Sequence, residues 1–153
     1  MNGRTDIPRP SLTGFYALAG AVTMAFMALT SAMAVRRTLG DDWSGIPLPP
    51  VLWLNTVVLV ASSAAIHFGR TRAAAGLGAL FLTGQYMAWR DIAIAASPGN
   101  SFFWVFTTLH ALHLAGGLAA FLLVRPAVAR LYWHLLTAIW IYLLALFALW
   151  GNG

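Results

Sequence analysis

The chain has 153 residues, of which 60% are apolar and only 8% carry a formal charge, and this excludes an ordinary soluble domain. It contains no cysteine, which excludes a disulfide framework and any thiolate metal site. The net charge of +5 comes from nine arginines against four aspartates, grouped at the ends of apolar segments, which indicates membrane topology and not nucleic-acid binding.

The first apolar segment covers residues 13–35, carries no charged side chain and ends at Arg36 and Arg37. Its length predicts a membrane-spanning helix, because about 20 apolar residues cross the hydrocarbon core. Small side chains recur along one side of this helix, and such stripes let helix backbones approach closely in lipid. The stripe consists of Ala17, Ala21, Ala25, Ala28 and Ala32. The polar residues before the segment predict a short tail without a cleavage site.

A loop over residues 38–50 follows, and its prolines oppose helix and favour an extended chain. Asp41 and Asp42 are adjacent in this loop. A carboxylate pair can bind a metal ion, but two acids in an exposed loop are usually only solvated, and the second interpretation is favoured here.

The second and third predicted segments cover residues 51–68 and 73–89. Both are apolar enough to lie in a membrane, yet each carries amide or imidazole side chains that need partners there. The residues of interest in and between these segments are Asn55, His67, Arg70, Arg72 and Gln85. Residues 97–100 are predicted to form a turn before the next segment.

The fourth segment, residues 102–124, contains His110 and His113, about 60° apart on a helix and therefore on one side of it. Imidazoles within the membrane are expensive unless they face other helices. They either hydrogen-bond across helices or touch a ligand or lipid. The fifth segment covers residues 132–150 and has His134 near its start.

Five spans place the two termini on opposite sides of the membrane, and arginine placement sets the direction. One side holds six arginines and one aspartate: Arg4, Arg9, Arg70, Arg72, Arg125, Arg130 and Asp6. The other side holds three arginines and three aspartates. The predicted N-terminus is therefore cytoplasmic and the C-terminus lies outside, as in a multi-pass protein of a bacterial plasma membrane. Five tryptophans then form a belt at the outer interface: Trp43, Trp53, Trp89, Trp104 and Trp150.

Polar patterns on four of these segments occur in a fixed order along the chain. They are Leu54-Asn55-Thr56 with Ser62-Ser63; Phe81, Gln85 and Trp89; the run 107–113, TTLHALH; and Tyr132-Trp133-His134 with Trp140 and Trp150-Gly151. Gly14-Phe15-Tyr16 adds a weaker match. Together these patterns resemble the subunit III family of the haem–copper oxidases, cytochrome c oxidase subunit 3. The family's long form has seven helices, and this chain resembles the last five.

The resemblance implies an all-α integral membrane protein, a five-transmembrane-helix bundle forming a single membrane domain over residues 1–153. It also has departures. Val22, Ala88 and Thr137 stand where the family has glutamate, glutamate and aspartate. A proton relay through those carboxylates is not expected here, whereas a role in packing and in holding lipid is.

The resemblance further implies an accessory subunit without a catalytic residue, metal or redox centre of its own. Haem and copper belong to the partner catalytic subunit I, further oxidase subunits complete the complex, and this chain stabilises it and holds phospholipid. The predicted interior polar network or lipid-binding set is Asn55, His67, Gln85, His110, His113, His134, Arg70 and Arg72. No nucleic acid is expected among the partners.

Three alternatives remain open. The chain belongs to a nitric oxide reductase-type complex; or it is a small b-type haem protein in which His67 and His134, at one depth on two helices, ligate iron; or it is a scaffold unrelated to oxidases. An optical spectrum of the purified chain and the identity of copurifying subunits separate these.

Overall fold

The computed structural model describes residues 9–92, 97–123 and 126–150. These form five α-helices: α1 (Arg9–Leu39), α2 (Val51–His67), α3 (Thr71–Asp91), α4 (Pro98–Leu123) and α5 (Pro126–Trp150). Three are long and apolar enough to cross a bilayer on length and composition: Leu12–Leu39, Pro98–Phe121 and Pro126–Trp150. α2 is a shorter apolar helix of 17 residues. The predicted all-helical bundle is confirmed.

Two predicted boundaries are wrong. Residues 97–100 do not form a separate turn, because the Ser97 hydroxyl accepts the Asn100 N–H at 3.1 Å and Pro98 begins α4. This is a helix N-cap followed by proline at the first helical position, where proline lacks only an N–H that would be unpaired anyway. α5 likewise begins at a proline, Pro126, so Arg130 lies inside the helix and not before it.

Three residues join α2 to α3. The chain reverses at Gly69, which has φ +75°, a backbone conformation that side chains with a Cβ rarely adopt. The Gly69 and Arg70 N–H groups donate to the carbonyls of Ile66 and Ala65 at 3.0 and 2.8 Å, and thereby cap the end of α2. The helices consequently form a tight antiparallel hairpin.

The helices alternate in direction, so that Arg9 and Trp150 lie at opposite ends of the bundle. α5 is central: it packs against α1, α2 and α4, and its tryptophans reach α3. The largest wholly buried side chains in the described part are aromatic: Trp133, Trp140, Phe81, Phe103, Phe106 and Phe147. The end that carries Arg70, Arg72 and Arg130 is called the arginine end below, and the opposite one the tryptophan end.

α1 lies at the edge of the bundle. Within the described residues it packs only against α4 and α5. Val22, Phe26 and Met33 are buried on its inner side, and the Phe26 ring stacks on Phe106 with ring centres 6.2 Å apart. Most of the other α1 residues whose burial is described are exposed.

The link between α1 and α2 folds over the tryptophan end as a non-helical segment, as its prolines predict. Ile46 is buried, and Trp43 packs on Phe102 of α4 with ring centres 6.3 Å apart. Both side chains also lie against Gly99, where a Cβ would come within 3.1–3.3 Å of them. The segment is therefore packed against the start of α4.

Candidate functional site

The wholly buried polar side chains at the centre of the bundle include His110 on α4 and Gln85 on α3. The His110 ring lies between two aromatic rings, with centres 5.8 Å from Phe81 and 5.2 Å from Trp140. No described residue hydrogen-bonds to either side chain. Because both side-chain polar atoms of His110 and of Gln85 lack a described partner, these two are the least satisfied polar side chains of the interior.

His113 lies near His110 in sequence but faces another neighbour. Its Nδ1 contacts the Leu109 carbonyl of its own helix at 2.6 Å, and its ring lies 6.1 Å from Phe26 of α1. Tyr132 of α5 donates to the His113 carbonyl at 3.3 Å. The spacing predicts that the two histidines share one side of α4. In the structure His110 faces α3 and α5, whereas His113 faces α1.

Asn55 of α2 is buried and donates through Nδ2 to the Phe81 carbonyl of α3 at 3.2 Å. The amide lies against Gly84, and a Cβ built at that glycine would overlap the Asn55 side chain. The two helices therefore approach closely at this point because one side contributes no side chain.

Three tryptophan indoles make hydrogen bonds that sequence reasoning missed. Each donates to a hydroxyl on another helix at 2.9–3.0 Å, and that hydroxyl in turn donates to a backbone carbonyl at 2.7–2.9 Å. The pairs are Trp133 with Ser62, Trp140 with Thr56, and Trp89 with Thr107. They join α2 to α5 twice and α3 to α4 once. The sequence does show hydroxyl side chains and tryptophans inside the apolar segments, and these could have indicated buried hydrogen bonds. It does not show which tryptophan binds which hydroxyl.

The Trp133 ring is held between two glycines as well as by its hydrogen bond. A Cβ at Gly78 of α3 would lie 2.7 Å from the ring, and one at Gly117 of α4 would lie 3.2 Å from it. The Phe121 ring of α4 also packs on the Trp133 ring, with ring centres 4.6 Å apart. Four helices therefore meet around this one side chain.

At the arginine end, His67 of α2 and His134 of α5 come together, with ring centres 5.9 Å apart. Ser63, one turn before His67, hydrogen-bonds to Nδ1 of His134 at 2.6 Å. An open depression of about 390 Å³ adjoins them, with Val60, Phe68 and Thr137 on its walls. The prediction that these histidines lie at one depth on two helices agrees with this placement.

Arg70 and Arg72 are exposed at the same end. Arg70 borders a second groove of about 550 Å³ between α2 and α3, whose other walls are alanines with Phe68 and Leu77. An apolar groove with a cation at its rim suits one acyl chain and its phosphate. The eight predicted site residues thus lie in different parts of the bundle and do not form one network. Within the described part of the chain, no hydrogen bond joins any two of the six that are not arginines.

The outward side of α1 presents the predicted alanine stripe. Ala17, Ala21, Ala25, Ala28 and Ala32 are all exposed. Large apolar side chains flank them, including Met24, which is 74% exposed, and Tyr16, which is 66% exposed. This side is therefore apolar but contains a low strip along which another helix can approach.

In the α1–α2 link, Arg36 donates to both carboxylate oxygens of Asp42 at 2.7 Å. The Arg36 hydrogen bond lowers the pKa of the exposed Asp42 carboxyl from its ordinary 3.8. Of the two adjacent acids in this link, Asp42 is thus paired with a guanidinium. The described residues contain no group of three or more metal-binding side chains.

Val22, Ala88 and Thr137, which the resemblance aligns with acids of the subunit III family, lie inside the bundle. Val22 and Ala88 are buried, and Thr137 is buried with its hydroxyl donating to the Trp133 carbonyl at 3.0 Å. The interior at these points is filled by hydrocarbon and a satisfied hydroxyl. None of these three residues is a carboxylate, so they cannot relay protons as the acids would.

Comparison with known proteins finds no matching family model. Curated relatives are found, however. A protein named "Probable cytochrome c oxidase subunit 3" of Nocardia farcinica is 32% identical over 83% of this chain and 77% of its own length. One of the same name in Mycobacterium tuberculosis is 29% identical over 72% of each. The cytochrome c oxidase subunit 3 of Thermostichus vulcanus is 27% identical over 81% of this chain and 79% of its own. With bundle and motifs in agreement, the chain belongs to the cytochrome c oxidase subunit 3 family of membrane proteins.

Proposed function

We propose that this subunit supports a haem–copper oxidase without carrying out redox chemistry itself. It packs the outward side of α1 against the catalytic subunit, holds phospholipid at the arginine end, and prolongs the active lifetime of the complex. The observation that carries this proposal is the exposed alanine stripe of α1, whose five members all point away from the chain's own bundle.

The physical argument rests on what drives helix association in lipid. Lipid tails are as apolar as leucine, so association depends on close van der Waals packing and on interhelical hydrogen bonds. Alanine side chains are small, so a second helix can approach the backbone of α1 closely along the stripe. The adjoining exposed Tyr16 provides a hydroxyl group for a hydrogen bond. α1 buries Val22, Phe26 and Met33 against its own bundle and leaves the alanine stripe exposed between large apolar side chains, which suits a second helical surface.

The interior supports a structural assignment for its polar residues. Asn55 bonds a backbone carbonyl, His110 lies buried between two aromatic rings, and Gln85 is wholly buried. None of them adjoins a carboxylate in the described part, and the family's acid positions hold Val22, Ala88 and Thr137. In this proposal Asn55, Gln85, His110 and His113 position helices and carry no protons.

The lipid part of the proposal rests on the groove beside Arg70. Its alanine walls accept an acyl chain, and the exposed Arg70 and Arg72 attract the phosphate of a headgroup. This placement also agrees with the arginine count, which puts the same end in the cytoplasm.

The experiment compares oxygen consumption by membranes with and without the chain, at matched haem content and over many turnovers. We expect a nearly unchanged initial rate per haem and haem spectrum, with a shorter active lifetime or weaker assembly in the deletion. A collapse of the initial rate per haem with normal assembly and lifetime would place the chain on the reaction path. A nitric oxide reductase-type partner is distinguished by the copurified subunits and by nitric oxide consumption.

A second candidate function, ligation of b-type haem, is favoured by the 5.9 Å separation of the His67 and His134 rings. Two axial imidazoles on one iron stand at a comparable separation. A Soret band in the purified chain that disappears in His67→Ala would establish this candidate.

A further inference from the structure

The two histidines at the arginine end have a geometry that suits a smaller ligand than haem. His67 occupies the last turn of α2 and is exposed, while His134 on α5 is half-buried. Their ring centres are 5.9 Å apart and their planes are inclined by 57°. Imidazole is a good ligand for zinc, copper and nickel ions. From this pair we propose an exchangeable binding site for a divalent transition-metal ion such as Zn²⁺.

The distance is the first argument. A zinc ion at about 2.0–2.1 Å from one nitrogen of each ring lies about 3 Å from each ring centre, so the centres stand roughly 5–6.5 Å apart for bond angles between tetrahedral and linear. The observed separation falls within this interval. Small side-chain rotations therefore bring both rings to one ion without a movement of either helix.

The hydrogen bond to Ser63 is the second argument. Ser63 contacts Nδ1 of His134 at 2.6 Å, which fixes the ring and leaves Nε2 as the nitrogen available to a metal. Metal-binding histidines commonly have their second ring nitrogen hydrogen-bonded, and this partner sets both tautomer and orientation. Ser63 and His67 lie one turn apart on the same helix, so α2 supplies one ligand and the support for the other.

Space and ligand number define the kind of site. The adjoining depression of about 390 Å³ is open, so water can occupy the remaining coordination positions. Two protein ligands are fewer than the four of a structural zinc site or the three of a catalytic one. The ion consequently exchanges with its surroundings, and the bundle does not need it to fold.

Arg130 makes the proposal testable by charge. It lies one turn before His134 on α5, and its positive charge opposes a cation near that ring. A phosphate, free or in a lipid headgroup, would instead be attracted by Arg130. Removal of this charge therefore changes metal and phosphate binding in opposite directions.

The experiment titrates the purified full-length chain in detergent with ZnCl₂, followed by calorimetry, and with Co²⁺, whose visible absorption reports nitrogen ligation. We expect one site per chain, with affinity lowered at least tenfold in His67→Ala and in His134→Ala. We expect Ser63→Ala to lower it less, and His113→Ala, the matched control, to leave it unchanged. Thermal unfolding of each variant without metal verifies that it folds.

Arg130→Gln then separates the ligands. We expect this variant to bind Zn²⁺ more tightly than the parent and to bind inorganic phosphate no better. Zinc binding that is unchanged in His67→Ala overturns the proposal. Absence of zinc binding, with phosphate binding that His67→Ala and Arg130→Gln both weaken, assigns the site to an anion instead. Neither outcome alters the test of the supporting role, which measures oxidase lifetime.

Discussion

The inner helices and the edge helix are held by different contacts. α2, α3 and α5 meet through buried tryptophans that donate to hydroxyls and through glycines that admit a ring or an amide. α1 meets its neighbours through a few large apolar residues and an exposed hydrogen bond between Thr30 and Tyr142 at 2.8 Å. The difference shows that this chain concentrates its specific packing in the centre and leaves one side of its edge helix exposed.

Trp133→Ala should break the inner region most severely. The substitution removes a wholly buried indole around which four helices meet and leaves the Ser62 hydroxyl without its indole donor. We expect a loss of about 3–5 kcal/mol in free energy of unfolding, the usual range for large-to-small changes in a packed core. Denaturant unfolding in detergent measures it. Trp53→Ala, at a position 54% exposed, is the control and should change stability little.

Gly84→Ala against Gly20→Ala compares the two regions with the same chemical change. A Cβ at Gly84 overlaps the Asn55 amide, whereas a Cβ at Gly20 of α1 meets nothing within 4 Å. We expect Gly84→Ala to destabilise by roughly 1–3 kcal/mol, as overpacking does. Gly20→Ala should be neutral or slightly stabilising, because alanine favours helix. Equal effects in the same unfolding assay would contradict the assigned difference.

Ala25→Trp on the outer side of α1 tests whether the exposed stripe binds a partner subunit. The site is exposed, so the chain's own stability should change by no more than about 0.5 kcal/mol. A large ring on the stripe prevents close approach of a second helix, and we expect less haem-containing partner to copurify. Met24→Leu, beside the stripe, serves as control. Undiminished recovery with Ala25→Trp would show that the partner binds elsewhere.

The smallest expected effect concerns the Arg36–Asp42 ion pair in the α1–α2 link. Arg36 lowers the pKa of Asp42 in the folded chain, so the pair adds stability above the ordinary pKa near 3.8 and loses it as pH falls through the lower folded value. Asp42→Asn should therefore lower the melting temperature slightly at pH 6, and the deficit should shrink as the pH falls below 3.8. A deficit that does not change with pH would mean that the side chain acts through packing.

Much of the fold was predictable because long apolar runs ending in arginine or proline define helices in a membrane protein. The buried His110, the buried Asn55 and the exposed alanine stripe of α1 were accessible in the same way, from polar or small residues at helical spacing. The boundary at Pro98 was missed since a Ser-Pro-Gly-Asn run fits a turn and a capped helix start equally well.

The relations between helices could not be derived from one sequence. Nothing local shows that Ser62 accepts from Trp133, 71 residues away, or that Gly78 provides room for that ring. Likewise His110 and His113 share a helical side, yet which neighbour each one faces depends on where α1 and α3 dock. Pairings of this kind are set by the packing of whole helices, which periodicity does not encode.

The tight turn at Gly69 has a consequence for biogenesis. α2 is only 17 residues long, about 25 Å, and α3 is not among the helices apolar enough to cross a bilayer alone. The two helices are joined by three residues, and the Asn55 and Ser62 side chains of α2 donate to carbonyls of α3. We expect them to leave the translocon together as one hairpin. Lengthening the turn with a flexible insert should then impair insertion of α3, measured by glycosylation tags on either side.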